Sequence, residues 1–276
     1  MKKPLILITN DDGIKAPGLI ALEETLTPIA ECLVVCPIQQ CSSVGQSVTL
    51  RKHIEVFKFK RPGGRFAFGI DGTPVDCVKF ALCELIKQKP DLAVSGINSG
   101  GNTGISVYYS GTIGGAREAL IGGIPSIAFS LQGRTSTDFR YASKIAKELV
   151  LESLANGLPS NTLLNVNIPS IPRSRIKGIK VVPQADSRFV EQFVKEGEEP
   201  GKLKFRLTGE MVINDRSIET DEEALNQGFV TVTPLQLDLT RYDSIKIITK
   251  RIKGWFHERS RKCSRKTQGK KSGRKF

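Results

Sequence analysis

Short apolar segments alternate with helical patterns from residue 4 to residue 168, and this alternation restricts the fold of the chain more than any other feature. Strands separated by single helices are typical of βαβ units, whose strands lie parallel in one sheet. The predicted strands cover residues 4–9, 32–36, 91–95, 124–130 and 162–168, and the predicted helices cover 17–29, 75–87, 112–122 and 138–154. We therefore predict a Rossmann-like, three-layer α/β sandwich with a mostly parallel sheet over residues 1–183.

Two regions depart from this alternation. Residues 47–69 predict additional β-structure outside the βαβ pattern, with a turn at 60–64. The predicted elements after the core are an extended β-hairpin arm over 184–214, a helix over 219–227, a strand over 228–233 that Pro234 ends, and a short helix over 242–253. An arm that leaves a compact domain needs a surface to lie against, and a partner subunit usually provides it, so we expect an oligomer. The prediction is one domain over 1–253, made of the core and the arm with C-terminal elements 184–253.

The formal net charge of +13 is concentrated at the C-terminus. Residues 251–276 hold eleven Lys and Arg and a single Glu, whereas the rest of the chain is near neutral. Residues 254–276 are rich in Gly, Ser and Lys and predict a disordered basic tail. Two interpretations stay open, a solvated tail and non-specific contact with nucleic acid or another polyanion through residues 251–276.

The sequence also bears on the compartment. No apolar run is long enough to span a membrane, and the apolar residues after Pro4 are too few for a signal peptide. The six cysteines include no CxxC pair, which favours free thiols over a zinc site. We expect a cytoplasmic protein without membrane contact.

The first predicted strand leads into two adjacent carboxylates, Asp11 and Asp12, followed by Gly13. Two carboxylates a few ångströms apart repel each other unless one is protonated or a cation lies between them. Helix capping would use one aspartate immediately before a helix, whereas Pro17 opens the predicted helix several residues later. We therefore predict that the pair binds a divalent metal ion.

Polar loops follow three of the predicted strands, at residues 10–13, 39–43 and 95–102. Open parallel sheets bind ligands beyond the carboxyl ends of their strands, so these loops share one crevice if the strands are neighbours. Their carboxylate, hydroxyl and amide oxygens suit Mg²⁺, Mn²⁺ or Ca²⁺ better than Zn²⁺ or copper.

A phosphate site is predicted beside this metal. Ser110, Gly111 and Thr112 lead into a predicted helix, and free backbone N–H groups at a helix start can bind phosphate together with two hydroxyls. An ordinary Ser/Thr cap explains the same residues when they are considered alone. The neighbouring metal favours the phosphate site, and we expect Asn10 and Asn102 to contact the same phosphate.

Residue types that other enzyme classes need are missing from these loops. The only histidines, His53 and His257, lie elsewhere, which argues against a Ser-His-Asp triad or a His-rich dinuclear centre. Neither GxxxxGK[ST] nor a GxGxxG in the first βα turn occurs, so a P-loop NTPase and a dinucleotide enzyme are disfavoured. Metal-assisted phosphoester hydrolysis fits best, with Asp11 or Asp12 accepting the proton.

The same residues resemble the SurE (survival protein E) family of metal-dependent nucleoside 5′-monophosphate phosphatases, from the first strand to about residue 242. The matching motifs, in chain order, are TNDDG (9–13), APG (16–18), SVTL (47–50), GTPVDCV (72–78), VSGIN (94–98), YSGT (109–112), NVNIP (165–169), TD (220–221) and VTPL (232–235). The resemblance implies a 5′-nucleotidase with one divalent cation per subunit, either Mg²⁺ or Mn²⁺. It also implies a cytoplasmic dimer or tetramer that assembles partly through the arm and the C-terminal segments.

The resemblance assigns the cation to Asp11, Asp12, Ser42 and Asn98, and it places 110–112 at the border of the active site. One loop departs from the family, which usually shows PDRNRSG where residues 37–43 read PIQQCSS. An ungapped alignment selects Ser42 as the ligand, and Ser43 is the rival. Both arginines of the family's loop are missing here.

Two further readings compete with a metal-dependent 5′-nucleotidase. One is an aspartyl-phosphate mechanism of the haloacid-dehalogenase type with Asp11 as nucleophile, although those enzymes use Asp-x-Asp rather than adjacent aspartates. The other is a nucleic-acid-binding protein that acts through the basic segment 251–276.

Overall fold

A mixed β-sheet is the main feature of residues 5–236 in the structure, a computed structural model that describes residues 2–133, 138–253 and 255. The strands are β1 (Leu5–Thr9), β2 (Glu31–Pro37), β3 (Val56–Lys60), β4 (Phe66–Ile70), β5 (Leu92–Ser99), β6 (Ser126–Leu131), β7 (Thr162–Ile168), β8 (Ile179–Val181), β9 (Ser187–Glu199), β10 (Lys202–Ile213) and β11 (Val230–Gln236). Within the described residues the central sheet has nine strands in the order β3-β4-β2-β1-β5-β6-β7-β11-β8, and β9 with β10 forms the separate hairpin arm.

The central strands from β4 to β7 are parallel, as the alternating pattern predicts. Strand β3 runs antiparallel to β4 at one edge, and β11 runs antiparallel to β7 near the other. The prediction of a mostly parallel sheet with an additional hairpin arm is confirmed.

The helices in the described residues are α1 (Pro17–Leu26), α2 (Pro74–Phe80), α3 (Ser106–Tyr109), α4 (Gly111–Ile121), α5 (Arg140–Asn156), α6 (Asp221–Asn226) and α7, residues 242–253. Four of them pack against the two faces of the sheet. On one face α1 and α5 bury Leu19, Leu22 and Val150 against β1, β5 and β6, and on the other α2 and α4 bury Val78 and Ala119. The three-layer prediction is therefore confirmed.

Strand β5 is longer than predicted, because it continues past residue 95 to Ser99. Its register against β6 shifts between Ser95 and Asn98, which is the signature of a β-bulge. Gly96 allows the bulge, since a Cβ at this position would lie 2.4 Å from the carbonyl oxygen of Phe129 on β6. The residues expected to open a loop therefore remain part of the sheet.

Two other boundaries differ from the prediction. Helix α2 ends at Phe80 and continues as a π-helical turn, Ala81–Leu85, instead of a regular helix to 87. Pro234 does not end β11, which continues to Gln236 paired with β7 alone. Strand β8 pairs with β11 only as far as Val232, so the missing N–H of Pro234 costs no hydrogen bond to β8.

The chain divides into two compact units, Met1–Leu237 and Asp238–Phe276. Helix α7 belongs to the second unit and covers the residues predicted for it. One domain over 1–253 stays a prediction. The predicted disorder of the basic tail over 254–276 concerns residues that, apart from Trp255, lie outside the described ones, and so does most of the predicted polyanion contact through 251–276. Among the described residues, no helix has the length and apolar character needed to cross a membrane.

Candidate metal and phosphate site

The predicted crevice lies at the carboxyl ends of three adjacent strands. Strand β1 pairs in parallel with β2 on one side and with β5 on the other, so the residues that follow all three strands meet at one edge of the sheet. The backbone N–H of Cys41, after β2, donates to the carbonyl oxygen of Asp11, after β1, over 2.7 Å. The convergence of these loops is confirmed.

Asp11 is the more deeply buried of the two carboxylates, with 6 % of its surface exposed. The hydroxyl of Thr112, on the first turn of α4, donates to its Oδ1 over 2.5 Å. Burial raises the pKa of Asp11 to about 6, and the hydrogen bond from Thr112 opposes this rise. Asp12 also carries a negative charge close by, which raises the pKa of Asp11 further.

Asp12 is held by the end of β5 and by the loop after β2. The backbone N–H of Ser99 donates to its Oδ2 over 3.0 Å, and the side-chain amide of Gln40 donates to its Oδ1 over 3.2 Å. Burial raises its pKa as well, despite these two donors. The Gln40 contact was not anticipated, because a glutamine in an irregular loop carries no pattern that marks it.

The donor set around this pair suits a divalent cation. Within residues 2–133, 138–253 and 255, no Lys, Arg or His forms an ion pair with either aspartate. Two adjacent, largely buried carboxylates without a cationic side chain are costly unless a cation neutralises them.

No cluster of three or more His, Cys, Asp or Glu occurs in the described part of the chain, so further ligands have to be neutral oxygens. The described cysteines (Cys32, Cys36, Cys41, Cys77 and Cys83) are free thiols, and Cys263 lies outside the described residues. The residues present therefore fit a hard divalent ion better than zinc.

Asn98 and the two serines are the predicted neutral ligands. The amide nitrogen of Asn98 donates to the carbonyl oxygen of Gly100 over 2.7 Å, which leaves the amide oxygen as the ligand atom. Ser42 and Ser43 both lie exposed on the loop after β2, directly beyond Cys41. Their assignment as metal ligands stays a prediction, as do those of Asp11, Asp12 and Asn98.

The N-terminus of α4 lies against the aspartate pair. Ser110 is the N-cap, and its Oγ accepts a hydrogen bond from the N–H of Ile113 over 3.1 Å. A Cβ on Gly111 would lie 2.8 Å from the Cβ of Asp11 and 2.9 Å from its Oδ2, so only glycine permits this approach. The predicted phosphate-binding residues 110–112 thus adjoin the predicted metal ligands.

Asn10 and Asn102, the other two predicted phosphate contacts, are buried and have protein partners. The amide of Asn10 donates to the carbonyl oxygen of Gly13, while its Oδ1 accepts no hydrogen bond from the described residues. The amide of Asn102 donates to Ser130, and its backbone N–H and carbonyl are bound by Asn167 and Asn165. The contacts of Asn102 hold the backbone after β5 in place. The contacts of Asn10 and Asn102 with a phosphate stay predictions.

A second anchor for this backbone comes from Asp221, which the sequence marks only as part of the TD motif at 220–221. Its fully buried carboxylate accepts hydrogen bonds from the N–H groups of Gly104, Ala185 and Glu222. Burial raises the pKa of Asp221, although these donors oppose the rise. Thr103, next to this anchor, donates its hydroxyl to Glu222. The TD pair at 220–221 was the only available signal.

Comparison with known proteins gives a consistent picture. The sequence model of the family described as "Survival protein SurE" matches residues 6–191. The 5′-nucleotidase SurE of Christiangramia forsetii is 44 % identical over 248 residues, covering 89 % of this chain and 95 % of the relative. That of Chlorobium chlorochromatii is 40 % identical over 242 residues, covering 88 % and 89 %.

The solved structures agree with the sequences. The crystal structure of the SurE protein from Aquifex aeolicus superimposes with a TM-score of 0.77 at 39 % identity, covering 90 % of this chain and 99 % of that one. The sequence identity extends over most of both chains and agrees with the fold and with the sequence motifs described above. The chain belongs to the SurE family.

Proposed function

We propose that this protein is a 5′-nucleotidase that hydrolyses nucleoside 5′-monophosphates to nucleoside and phosphate with a divalent cation. The observation that carries the proposal is the direct approach of α4 to the aspartate pair through Gly111 and Thr112. It brings a helix N-terminus, which can bind phosphate, next to a carboxylate pair, which can bind a cation. The relatives named 5′-nucleotidase SurE support the same activity.

Asp11, Asp12, Asn98 and Ser42 would hold the cation, and their oxygen atoms favour Mg²⁺ or Mn²⁺. Bound there, the ion would neutralise charge on the phosphate oxygens and lower the pKa of the attacking water. A carboxylate of the pair accepts the proton of that water.

The phosphate is bound by the chain itself. The free N–H groups at the start of α4, which includes Gly111 and Thr112, and the hydroxyl of Ser110 donate to its oxygens. The hydroxyl proton of Thr112 is donated to Asp11 instead. We also assign Asn10 and Asn102 to the phosphate site, where their hydrogen bonds to Gly13 and Ser130 keep the surrounding backbone in place.

The backbone at residues 42 and 43 supports Ser42 over Ser43 as the fourth ligand. Ser43 has a φ of +57°, in the left-handed region where glycine is favoured. In the ungapped alignment Ser43 replaces the glycine of the family loop, and Ser42 replaces its serine. The conformation at residue 43 therefore agrees with that alignment.

We also propose that the protein is a cytoplasmic homodimer or tetramer. Large apolar side chains on the arm, including Phe193, Leu203 and Phe205, are about half exposed or more in the isolated chain. Exposed apolar surface of this kind favours burial against another subunit. Free thiols at the five described cysteines fit a reducing compartment.

Replacement of single aspartates tests the activity. We expect Asp11→Asn and Asp12→Asn to lower metal-dependent release of phosphate from AMP at least about 100-fold, because each removes a charge from the cation site. Phosphate release is measured with Mg²⁺, with Mn²⁺ and with a chelator, and circular dichroism checks the fold. Asp138→Asn, an exposed carboxylate on another loop, is the control.

Activity at the wild-type rate in both site variants would contradict the proposal. A phosphorylated Asp11 detected by mass spectrometry during turnover would instead favour the aspartyl-phosphate mechanism.

A further inference from the structure

Two exposed aromatic rings lie together at the edge of the phosphate-binding helix start. The ring centroids of Tyr109 and Phe189 are 6.1 Å apart, and the ring planes are inclined by 57°. Tyr109 is 51 % exposed and Phe189 is 37 % exposed, so a ligand can reach both side chains. The reaction proposed above uses neither ring.

The main chain holds Tyr109 next to the phosphate site. It is the last residue of α3 and immediately precedes Ser110, the N-cap of α4. Its carbonyl oxygen accepts a hydrogen bond from the N–H of Gly45 over 2.9 Å. The tyrosine is thus one residue from the phosphate-binding cap, and the loop after β2 anchors it.

Phe189 reaches this place because the base of the arm is attached to the loop after β5. The hydroxyl oxygen of Ser187 accepts a hydrogen bond from the N–H of Ile105 over 2.9 Å. Side chains two residues apart on a strand point to the same face, so Phe189 lies on the face of β9 that Ser187 directs towards α3. The hairpin therefore contributes one ring to a pair whose other ring belongs to the core.

We propose that Tyr109 and Phe189 form a stacking site for the base of the nucleotide, with a preference for purines. The inference rests on the proposed 5′-nucleotidase function and adds the residues that recognise the base. Only a ribose separates a base from its 5′-phosphate, so a phosphate at residues 110–112 brings the base to the side chains that border this helix start. Aromatic rings bind bases through their π faces, and a purine offers the larger face.

The test compares a nucleotide with the same phosphate ester lacking its base. Wild-type protein and the variants Tyr109→Ala, Phe189→Ala and Tyr109→Phe are assayed with AMP and with ribose 5-phosphate. We expect Tyr109→Ala and Phe189→Ala to lower kcat/KM for AMP about tenfold, mainly through KM, and to leave ribose 5-phosphate unchanged. Tyr109→Phe keeps the ring and retains the wild-type values.

Tyr108→Ala is the matched control. Tyr108 is the preceding residue of α3, is similarly exposed at 50 %, and pairs with no other aromatic ring in the described part of the chain. Neighbouring helical residues point in directions about 100° apart. Its replacement therefore leaves the AMP kinetics unchanged.

The outcomes separate the inference from the function on which it rests. AMP hydrolysis by the wild type, with equal losses on both substrates in Tyr109→Ala, would overturn the base site alone. If Tyr109→Ala or Phe189→Ala lost activity and also changed the number of subunits, the rings would belong to a subunit contact, and this result would overturn the base site as well. Wild-type hydrolysis of ribose 5-phosphate but not of AMP would overturn the nucleotidase and the base site together.

Discussion

The hydroxyl of Thr112 decides how the buried carboxylate of Asp11 is presented. Burial raises the pKa of Asp11 to about 6, and the hydrogen bond from Thr112 is the main interaction that opposes this rise. The hydroxyl also orients Oδ1, since the two oxygen atoms are 2.5 Å apart. The hydroxyl of Thr112 therefore serves Asp11, a role that the YSGT motif does not reveal.

Thr112→Val keeps the shape of the side chain and removes the donor. We expect kcat/KM for AMP to fall roughly 10- to 100-fold, because a hydrogen bond to a charged group contributes about 1.5–3 kcal/mol. Thr112→Ser retains the hydroxyl and most of the activity. Steady-state kinetics with saturating Mn²⁺ measure both, and equal activity of the two variants would show that the hydroxyl is dispensable.

The two serines after β2 can be separated by their response to the metal. Ser42→Ala removes the predicted ligand oxygen, so the Mn²⁺ concentration for half-maximal activity is expected to rise at least about tenfold. Ser43→Gly replaces a residue with positive φ by the one best suited to it, and activity is expected to stay unchanged. Metal titrations of the two variants decide the assignment, and the opposite order would identify Ser43 as the ligand.

At the scale of elements, the N-terminal cap of α2 is also hydrogen-bonded to the segment that follows β2 and contains Ser42. Thr73 is the N-cap of α2, and the Oδ2 of Asp76 accepts the N–H of Thr73 over 2.8 Å. Its Oδ1 accepts the N–H of Thr49 over 2.9 Å. One carboxylate thus completes the cap and holds the end of the segment that follows Ser42.

Asp76 makes this connection dependent on pH. Burial would raise its pKa, but the hydrogen bonds from Thr49 and Thr73 outweigh burial and lower it. Because the folded pKa lies below the unfolded value of about 3.9, the stabilisation is present above that value and is lost as the pH falls through the folded pKa.

We expect Asp76→Asn to reduce the free energy of unfolding by about 1–2 kcal/mol at pH 7, with a difference that shrinks below pH ~4. Urea unfolding of both proteins at several pH values measures this difference. A difference that is constant from neutral to acidic pH would show that the charge of Asp76 is not involved.

Elements with a clean hydrophobic pattern were predictable from the sequence, and those set by tertiary contacts were not. Strand β7 has the predicted boundaries, since its apolar run ends at Pro169. The extension of β5 depends on a bulge against β6, and the continuation of β11 past Pro234 depends on where β8 ends. Neither neighbour can be read from the local sequence.

The candidate site shows the same division. The sequence pattern marks Asp11, Asp12, Asn98 and residues 110–112, because they lie at the ends of predicted strands or at the start of a predicted helix. No such pattern marks the roles of Gln40 and Asp221, because their contacts join segments that are distant in the sequence. Local patterns predict which chemistry a loop can offer, while long-range contacts determine how the loop is held.

For the molecule as a whole, the arm is the element whose stability is hardest to explain within one chain. An isolated two-stranded hairpin is marginally stable in water. Both of its strands carry exposed apolar residues, with Phe193 71 % and Phe205 49 % exposed, and the two rings contact each other edge to face. A second subunit would bury this surface.

Phe193→Asp is therefore expected to shift the protein towards the monomer mass of 30.3 kDa, because a carboxylate cannot be buried there without a partner. Light scattering coupled to size-exclusion chromatography measures the mass. Lys202→Asp, at the exposed turn of the same hairpin, is the control and leaves the mass unchanged. A wild-type protein that already elutes as a monomer would refute the assembly.

The buried contact between Asp221 and the N–H of Gly104 has a consequence for the order in which the enzyme is completed during synthesis. A nascent chain that has emerged as far as β7 already contains both aspartates, the bulged β5 and the start of α4. It lacks the carboxylate that closes the loop after β5, and it also lacks β11. Since contacts between residues so far apart in sequence form late, the candidate crevice acquires its final shape only after the ribosome has synthesised Asp221.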